Sequence, residues 1–285
     1  MRHRLIWWVI AVTAVVPAFG DSISVNLGSA SSFGLLGGTI SNTGTSEVAG
    51  NVGATTTITG FTPTVGVGTA TGTVYPFPSN PTVTAAYSDF ETAYTTALGL
   101  ANTQPPSLNS LPLTKTFTGD NVYNFDTTVS TTTGTVLTFD AQNIGSEVFV
   151  IQVDGDFTVN GSLAFNLING AKADNIFWIV KNDATISVGS SGAITFDGSI
   201  LAGDTFTMSA ASGGSGVLAG TINGCVFSEN ANTLAGQTDV NGCVGGGSGG
   251  GPGGGGNAPE PGSAGLMSLG CLLGIVAWRK FRVSV

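Results

Sequence analysis

Short apolar stretches recur along the middle of the chain, with Gly, Asn and Asp between them. Four of them are apolar at consecutive positions, so the strands that they predict should be covered on both faces. These are Val148-Phe149-Val150-Ile151, Ile176-Phe177-Trp178-Ile179-Val180, Ile200-Leu201-Ala202 and Val217-Leu218-Ala219. We interpret each as the first strand of one of four successive repeats.

Strands of alternating apolar and polar residues follow the continuous ones, and alternation is typical of a strand with one buried face. Second strands are predicted at 157–160, 184–188 and 205–209, and third strands at 163–167 and 193–196. Three short strands in each irregular repeat predict an all-β fold, an irregular three-sided β-solenoid. A β-sandwich is the alternative, which the repeated three-strand order disfavours.

One segment, residues 82–104, breaks the strand pattern. It follows Pro81 and is ended by Pro105-Pro106, and its apolar residues recur at spacings of three and four: Ala86, Phe90, Ala93, Ala97 and then Leu100 or Ala101. This spacing predicts one long amphipathic helix. Its narrow, alanine-rich stripe needs a flat apolar surface, so we expect the helix to pack along the side made by the continuous strands.

Both ends of the chain carry address signals. Residues 1–20 combine a basic start, an apolar core and small residues before Asp21, which predicts a cleaved signal peptide. Residues 259–285 contain Pro259-Glu260-Pro261, an apolar run from Ala264 to Trp278 and then a basic cluster. This tail resembles the PEP-CTERM sorting signal of Gram-negative bacteria, which implies transient membrane contact and cleavage by an exosortase. An ordinary C-terminal membrane anchor is the alternative.

The end segments leave residues 21–244 as one domain, which we call the body. Residues 245–258 are rich in glycine and uncharged, and they predict a flexible linker between the body and the tail. We therefore expect an exported protein of a Gram-negative bacterium that is secreted or held at the cell surface or in the extracellular matrix.

The charge of the mature chain excludes several functions. Residues 21–257 hold three lysines, no arginine and sixteen carboxylates, a formal charge of 3 − 16 = −13. Nucleic acid is therefore not expected as a partner, since phosphate binding needs a basic surface. The only histidine, His3, lies in the signal peptide. No Ser-His or Cys-His catalytic site and no imidazole metal site remain, and we expect neither a cofactor nor an enzyme.

Two cysteines lie in the body and one, Cys271, lies in the tail. Because the chain is exported, Cys225 and Cys243 are predicted to form a disulfide that fixes the C-terminal end of the body. A metal pair is the alternative, but it lacks further ligands.

The residues also match a known family. The opening Leu27-Gly28-Ser29-Ala30, the stretch Phe33 to Gly44 and the stretch Asn166 to Trp178 resemble microbial ice-binding proteins of the discontinuous β-solenoid type. The resemblance covers residues 25–234. It implies a right-handed solenoid with a non-sequential order of coils, a helix alongside one face and an ice-binding surface on another face. It also implies ice as the partner and no enzymatic activity, and we expect a monomeric body.

The end of the body departs from the family pattern. The family's usual Arg-Ala-Leu-Ala-Arg is replaced here by Gly216-Val217-Leu218-Ala219-Gly220. The following strand holds Cys225 and Phe227 where we expect a polar row. The sequence therefore leaves the part of the last coil in any binding surface open.

A stack of alternating strands with outward threonines makes a regular grid of hydroxyl and methyl groups, spaced by about 6.6 Å along a strand and about 4.8 Å between strands. Such a grid, free of charge, suits adsorption to ice. The outward positions expected on the second strands are Thr39, Ser41, Thr57, Thr59, Thr128, Ser130, Thr158, Asn160, Thr185, Ser187, Thr205, Thr207 and Ser209. The simpler interpretation is that threonine is a good strand residue on a solvated face.

The corner carboxylates Asp154, Asp156, Asp183 and Asp204 leave three interpretations. They could bind calcium, act as paired catalytic carboxylates, or serve the geometry of tight corners, which is the simplest account. Three functions follow for the protein: an ice-binding protein that modifies ice growth, an adhesive or structural surface protein on the same scaffold, and a polysaccharide-cleaving solenoid enzyme. The lack of histidine and arginine in the mature chain counts against the enzyme.

Overall fold

The computed structural model describes residues 23–62, 66–75, 80–188, 192–209 and 218–243. The predicted signal peptide, linker and sorting tail lie outside these residues. One α-helix is present in this part of the chain, α1 (Pro81–Leu98). The strands are β1 (Phe33–Asn42), β2 (Glu47–Val48), β3 (Asn51–Phe61), β4 (Gly66–Ala70), β5 (Val74–Tyr75), β6 (Thr114–Thr118), β7 (Asn121–Phe125), β8 (Val129–Ser130), β9 (Thr135–Asp140), β10 (Phe149–Val153), β11 (Phe157–Asn160), β12 (Leu163–Ile168), β13 (Ile176–Val180), β14 (Ala184–Ser187), β15 (Ile194–Asp197), β16 (Ser199–Ala202), β17 (Thr205–Ser209), β18 (Leu218–Asn223), β19 (Val226–Ala235) and β20 (Gln237–Val240).

The strands stack in three parallel series, which form the three sides of a solenoid. The helix face consists of β7, β10, β13 and β16 with the first halves of β19, β1 and β3, and ends at β5. The threonine face consists of β8, β11, β14 and β17 with the second halves of β19, β1 and β3. The third face holds β6, β9 and β12, and then β15, β18, β20, β2 and β4. The predicted β-solenoid with one helix is confirmed.

The order of the coils in space differs from their order in the chain. The first strand, β1, pairs in parallel with β19, which belongs to the last coil, and pairs with β3 on its other side. The N-terminal coils are therefore seated on the C-terminal end of the stack that begins at β7.

Two glycines let β1 turn the corner between the helix face and the threonine face beside β19. A Cβ at Gly37 would lie 2.5 Å from Nδ2 of Asn232, and a Cβ at Gly38 would lie 2.4 Å from the Asn230 carbonyl oxygen. The buried Asn232 amide donates to the Leu36 carbonyl oxygen at 2.8 Å. A larger side chain at either glycine would push β1 away from β19, so the Gly-Gly pair permits the close junction of the two ends.

The interior of the coils is filled by the inward residues of all three faces. Trp178, which is fully buried, lies at the centre; its ring stacks on Phe157 at 4.8 Å between centroids. Its indole Nε1 donates to the Asp197 carbonyl oxygen at 3.2 Å, so the polar atom of the ring is satisfied. Full burial of large aromatic rings between coils supplies much of the apolar area that stabilises the stack.

A second apolar cluster lies between α1 and the helix face. It buries Phe90 and Ala86 of the helix against Phe177, Ile179 and other outward residues of the continuous strands. This is the side that the sequence predicted for the helix. It also explains why these strands are apolar at consecutive positions, since one set of side chains faces the interior and the other faces the helix.

The helix begins and ends through specific hydrogen bonds. Asn80 caps its start by accepting the Thr82 N–H at 2.9 Å, and Pro81 occupies the first turn. At the other end the buried Gln152 amide donates to the carbonyl oxygens of Ala97, Leu98 and Leu100 at 2.8, 3.2 and 2.9 Å. The helix stops at Leu98.

The predicted end of the helix at residue 104 was therefore six residues too late. Gln152 lies in an otherwise apolar strand 54 residues further on, and it binds the last carbonyls that a longer helix would have used internally. Local periodicity cannot reveal a cap supplied from so far along the chain.

Cys225 and Cys243 are joined by a disulfide with Cα atoms 4.8 Å apart. The prediction of a fourth continuous strand at 217–219 was wrong, because Leu218–Asn223 pairs with β15 and β20 on the third face. The continuous strand of the last coil begins at Val226, which pairs with Ile200. Cys225 and Phe227 therefore face the helix cluster and do not occupy a polar row.

No helix within the part of the chain that the structure describes is long and apolar enough to cross a membrane.

The contact between α1 and the helix face predicts a large effect of Phe90→Ala. Phe90 is fully buried, and its ring lies 5.6 Å from that of Phe227. We expect a loss of about 3–5 kcal/mol in the free energy of unfolding, measured by denaturant titration of the body. Thr96→Ala, on the exposed side of the same helix, is the control and should change stability by less than about 0.5 kcal/mol. Equal effects of the two changes would contradict this packing.

Candidate functional site

The threonine face is a continuous ladder of seven strands. Parallel pairing runs without a break from β8 through β11, β14 and β17 to the second halves of β19, β1 and β3. At about 4.8 Å per strand, the six spacings span about 29 Å. Neither the helix nor another strand covers the outward side chains, which are partly or fully exposed.

The register of the ladder aligns seven hydroxyl side chains in one column. We call it the middle column, and its members, in spatial order, are Ser130, Thr158, Thr185, Thr207, Thr233, Ser41 and Thr59. Each coil contributes one residue, and each residue is a threonine or a serine. The column crosses the junction between the C-terminal and N-terminal coils, so residues far apart in the chain become neighbours in a single row.

Two shorter columns flank the middle one, two residues before and two residues after it on each strand. The first contains Thr205, Ala231, Thr39 and Thr57, and the second contains Asn160, Ser187, Ser209 and Ala235. Every member is small and uncharged. Together the three columns make a strip about 13 Å wide, because alternate residues of a parallel strand are about 6.6 Å apart.

The outward direction of these side chains is fixed by their apolar neighbours in sequence. Val159, Ile186, Met208 and Leu234 lie between the column residues and are fully buried. Because successive side chains of a strand point to opposite faces, burial of these residues forces the threonines outward. A slip of one residue would bury seven hydroxyls and expose the core, so the register is strongly determined.

The hydroxyls at the centre of the strip are left for solvent. Within the described part of the chain, those of Thr158, Thr185, Thr207 and Thr233 make no hydrogen bond to protein. At the edge, Thr205 Oγ1 donates to Oδ1 of Asp183 at 2.6 Å, and Ser187 Oγ lies 3.4 Å from Ser209 Oγ. The middle column can therefore offer hydroxyl groups to an ordered layer of water, with a methyl group beside each threonine hydroxyl.

Charge is excluded from the strip and concentrated around it. Within the described strands of the threonine face no outward residue carries a charge, and the carboxylates Asp156 and Asp183 lie just before β11 and β14 at the edge of the strip. The third face differs, since Asp239 continues the column of Thr195 and Thr221, and Glu47 lies next to Asp239 with its N–H donating to Oδ1 at 3.3 Å. A charged group holds its own hydration shell and opposes dry contact with a surface, so the threonine face is the better candidate.

The third face is also interrupted. β12 and β15 are neighbours but share no ladder, so the three strands β6, β9 and β12 form a separate sheet. A cleft of about 310 Å³ lies at the break, lined by Leu163, Phe165, Thr195, Asp197 and their neighbours. A flat, regular grid is therefore available on the threonine face alone among the three described faces.

The four corner carboxylates lie where the sequence placed them, between the helix face and the threonine face. Asp183 Oδ1 accepts from the Thr205 N–H at 3.1 Å as well as from its hydroxyl, and Asp204 Oδ1 accepts from Asn230 Nδ2 at 2.6 Å. These bonds join one coil to the next at the corner. Among the described residues, no group of three or more His, Cys, Asp or Glu side chains could hold a metal ion.

The structure brings together the expected outward residues of the second strands, with one exception. Thr128 lies before β8, opposite Asp156, whose backbone N–H donates to its hydroxyl at 3.2 Å. It is a corner residue and does not belong to the grid. The expectation that Thr128 points outward from the threonine face beside Ser130 was wrong, because β8 contains only two residues and begins after Thr128.

Sequence reasoning missed Ala231, Thr233 and Ala235. The polar row of the last coil was sought at Cys225 and Phe227, which lie on the helix face. β19 continues around the corner without a break, and its second half pairs with both β17 and β1. The alternation in Asn232-Thr233-Leu234 was the available signal. The last coil thus contributes to the strip through Thr233.

A family model described as Ice-binding-like matches residues 35–240, which includes every strand of the threonine face except the first two residues of β1. The chain belongs to the Ice-binding-like family. It is 31% identical over 164 residues to an ice-binding protein of Leucosporidium sp. (strain AY30) and 28% identical over 159 residues to one of Flavobacterium frigoris (strain PS1). The matches cover 58% and 55% of this chain but only 57% and 51% of those relatives, so the chain spans less than two thirds of their length.

Solved ice-binding proteins share this fold. The crystal structure of one from the Antarctic ascomycete Antarctomyces psychrotrophicus superposes with a TM-score of 0.63 at 31% identity, covering 76% of this chain and 98% of that one. A glycosylated ice-binding protein from an Arctic yeast gives a TM-score of 0.63 at 28% identity, covering 77% and 94%.

Four carboxyl groups outside the strip have raised pKa values because they are buried. Burial raises the pKa of Glu229, at the corner beside the threonine face, and the carboxylates of Glu91 and Asp204 raise it further. Burial also raises the pKa of Glu147, which is 4% exposed, and Asp120 and Asp140 add to the effect. One carboxyl oxygen of Glu147 has no hydrogen-bond partner. The pKa values of Asp174 and Asp197 are raised by burial as well.

These shifts predict that the folded body becomes more stable as the pH falls from 8 to about 5. A carboxyl group whose pKa is higher in the folded than in the unfolded chain binds protons on folding in the range between the two values. Its stabilising effect is complete below the unfolded pKa and is lost as the pH rises through the folded pKa. We expect a higher unfolding temperature at pH 5 than at pH 8, measured by calorimetry.

The variant Glu147→Gln isolates one of these effects, at a buried carboxyl group with an oxygen that has no hydrogen-bond partner. It keeps the shape of the side chain and removes the buried charge, so it should raise stability at pH 8 and flatten the pH dependence. Glu47→Gln, an exposed carboxyl on the third face, serves as the matched control. A body that loses stability between pH 8 and pH 5 would contradict the prediction.

Proposed function

We propose that this protein adsorbs to ice through the threonine face and thereby modifies ice growth or inhibits recrystallisation. The observation that carries the proposal is the middle column, seven aligned hydroxyl side chains on an unbroken ladder with no charged outward residue. Family membership and the ice-binding relatives support it. The proposed contact residues are Ser130, Thr158, Thr185, Thr207, Thr233, Ser41 and Thr59, with the flanking Thr39, Thr57, Thr205, Asn160, Ser187 and Ser209.

The physical basis is a match between a rigid surface and a rigid solid. The inner strands of the face are bonded along both edges by the ladder and are fixed from beneath by buried residues, so the grid loses little conformational entropy on contact. Methyl groups order a cage of water at the surface, and hydroxyl groups anchor this ordered layer by hydrogen bonds. No bond is made or broken, and the protein acts by binding and not by catalysis.

The adhesive alternative shares the scaffold but does not depend on the grid. A matrix protein that is held by its end needs no flat, uncharged face, so changes on the threonine face would leave its role intact. The substitutions below therefore distinguish the two functions.

A charge in the middle column should abolish ice shaping. In Thr207→Lys or Thr233→Lys the ammonium must lose water on contact, which is costly in the absence of a partner. We expect that the same crystal shaping needs a concentration of the variant about tenfold or more above that of the unaltered body. A tenfold difference is equivalent to about 1.4 kcal/mol of binding free energy. The measurement is the shape and growth rate of single ice crystals in the presence of the recombinant body.

The matched control is Thr195→Lys, which places the same charge at an exposed strand position on the third face. It should leave ice shaping unchanged. Circular dichroism would verify that all three variants remain folded, as expected for solvent-facing positions. Loss of shaping in Thr195→Lys together with retention in Thr207→Lys would contradict the proposal and assign ice binding to the third face.

Thr185→Val separates the two contributions of threonine, because valine keeps the shape and the methyl group but removes the hydroxyl. If water ordered around methyl groups dominates, the variant should keep most of its activity, whereas Thr185→Ser, which removes the methyl group, should lose more. The reverse order of the two variants would assign adsorption mainly to hydrogen bonding.

The proposal includes export and C-terminal processing. Residues 1–20 would be removed as a signal peptide, and the tail at 259–285 would be cut by an exosortase near Pro259-Glu260-Pro261, after transient contact with the membrane. The intact mass of the mature protein isolated from its producing cell tests this. We expect a chain that starts near Asp21 and ends close to residue 259; a mass that includes the whole tail would support an uncut membrane anchor.

A further inference from the structure

The body ends at one defined corner of the solenoid. β20 ends at Val240 on the third face, and residues 241–243 lie at the corner between the third face and the helix face. The previous coil places Asn223-Gly224-Cys225 at the same corner. The Asn241 N–H donates to the Ile222 carbonyl oxygen at 2.8 Å, and its side chain donates to Oδ1 of Asn223 at 2.6 Å.

The chain cannot continue into the next position of the helix face. In a regular solenoid the strand after Cys243 would lie beside Val226, but Leu35 of β1 is paired there. Backbone from the N-terminal coils also closes the corner, since a Cβ at Gly242 would lie 2.4 Å from the Ala49 carbonyl oxygen. The seating of β1 on β19 therefore blocks the position on the helix face that a strand after Cys243 would take.

The corner at Cys243 lies opposite the threonine face. In a three-sided body, the corner between two faces is opposite the third, and residue 243 follows a strand of the third face at its border with the helix face. Cys243 also packs against the cluster beneath α1. A link that continues from Cys243 therefore starts on the side away from the threonine face and need not cover that face.

The disulfide connects Cys243 to the middle of the stack. Cys225 is 0% exposed and directly precedes β19, whose first half is paired with β16 on one side and with β1 on the other. β20 has four residue pairs with β18 on one side but only the pair Val48–Val240 with β2 on the other. Without the disulfide, a force on residue 243 would act on β20 alone and open its hydrogen bonds one after another. With it, the force is shared with β19, which is paired along its length with β16 and β17 on one side and with β1 on the other.

We propose that the protein works as an anchor to ice: a link on its C-terminal side holds it to the cell surface or matrix, the position of Cys243 leaves the threonine face uncovered, and the Cys225–Cys243 disulfide carries the mechanical load. The inference rests on the proposed function. The linker 245–258 would add a reach of about 20 Å as a flexible chain of fourteen residues, which leaves the body free to align with a crystal surface.

Beads that carry the body through a biotin placed after residue 258 test the anchor. They are allowed to bind to an ice surface, and the flow is raised stepwise. We expect beads with the unaltered body to be retained, and beads with Thr207→Lys to wash off at the lowest flow. The double variant Cys225→Ser/Cys243→Ser should shape ice normally as a free protein but lose most of its beads at a flow that the unaltered body withstands.

Each outcome has one meaning. If the free unaltered body does not shape ice, the proposed function fails and the anchor fails with it. If the free body shapes ice but C-terminally attached beads are not retained, the proposal that a C-terminal link leaves the threonine face free is wrong. Equal retention of the double variant would overturn the role of the disulfide.

A second measurement keeps the test valid if the double variant does not fold. Beads with the unaltered body, already bound to ice, are exposed to a reductant under constant flow. Release of beads after reduction, with none in the untreated channel, supports the load path through the disulfide. Unchanged retention of fully reduced protein, verified by thiol labelling, overturns it.

Discussion

The parallel ladder between β1 and β19 is the interaction on which the rest of the structure depends. Seven residue pairs join the first strand of the body to a strand of the last coil, from Leu35–Val226 to Asn42–Leu234. The ladder extends the threonine face from five strands to seven. It also occupies the position on the helix face that a strand after Cys243 would take. The close approach requires Gly37 and Gly38 at the corner, since side chains there would meet Asn232 and Asn230.

The three faces solve different problems with the same strand geometry. The helix face is apolar on both sides of its strands and is covered by α1. The Gln152 amide donates hydrogen bonds to the carbonyl oxygens at the end of this helix. The third face changes sheet at β12 and carries carboxylates, so it is neither flat nor neutral. The threonine face alone combines an unbroken ladder with small uncharged side chains. Its regularity follows from the fully buried residues beneath it, which fix the register of every strand.

The distribution of charge follows from the same division. The body carries many more carboxylates than lysines, and several of the carboxylates are partly buried at corners with raised pKa values. Placing them at corners keeps the protein soluble through its net charge while the strip stays neutral. At neutral pH the ionised, buried carboxylates lower the free energy of unfolding, and protonation of these groups at lower pH removes this destabilisation.

The sequence alone determined the class of the fold, the helix and its packing side, and most of the strip, because these features depend on local periodicity. Continuous strands such as Ile176–Val180 must be covered on both sides, and alternating strands such as Ala184–Ser187 must expose every second residue. Only the tertiary structure decided the end of the helix, the corner position of Thr128 and the role of the last coil. Each of these depends on a partner distant in sequence: Gln152 for the helix, Asp156 for Thr128, and β1 for β19. The local alternation at Thr233 shows only that its side chain points outward; its pairing with Ser41, 192 residues earlier, which carries the middle column into the N-terminal coils, is encoded by no local pattern.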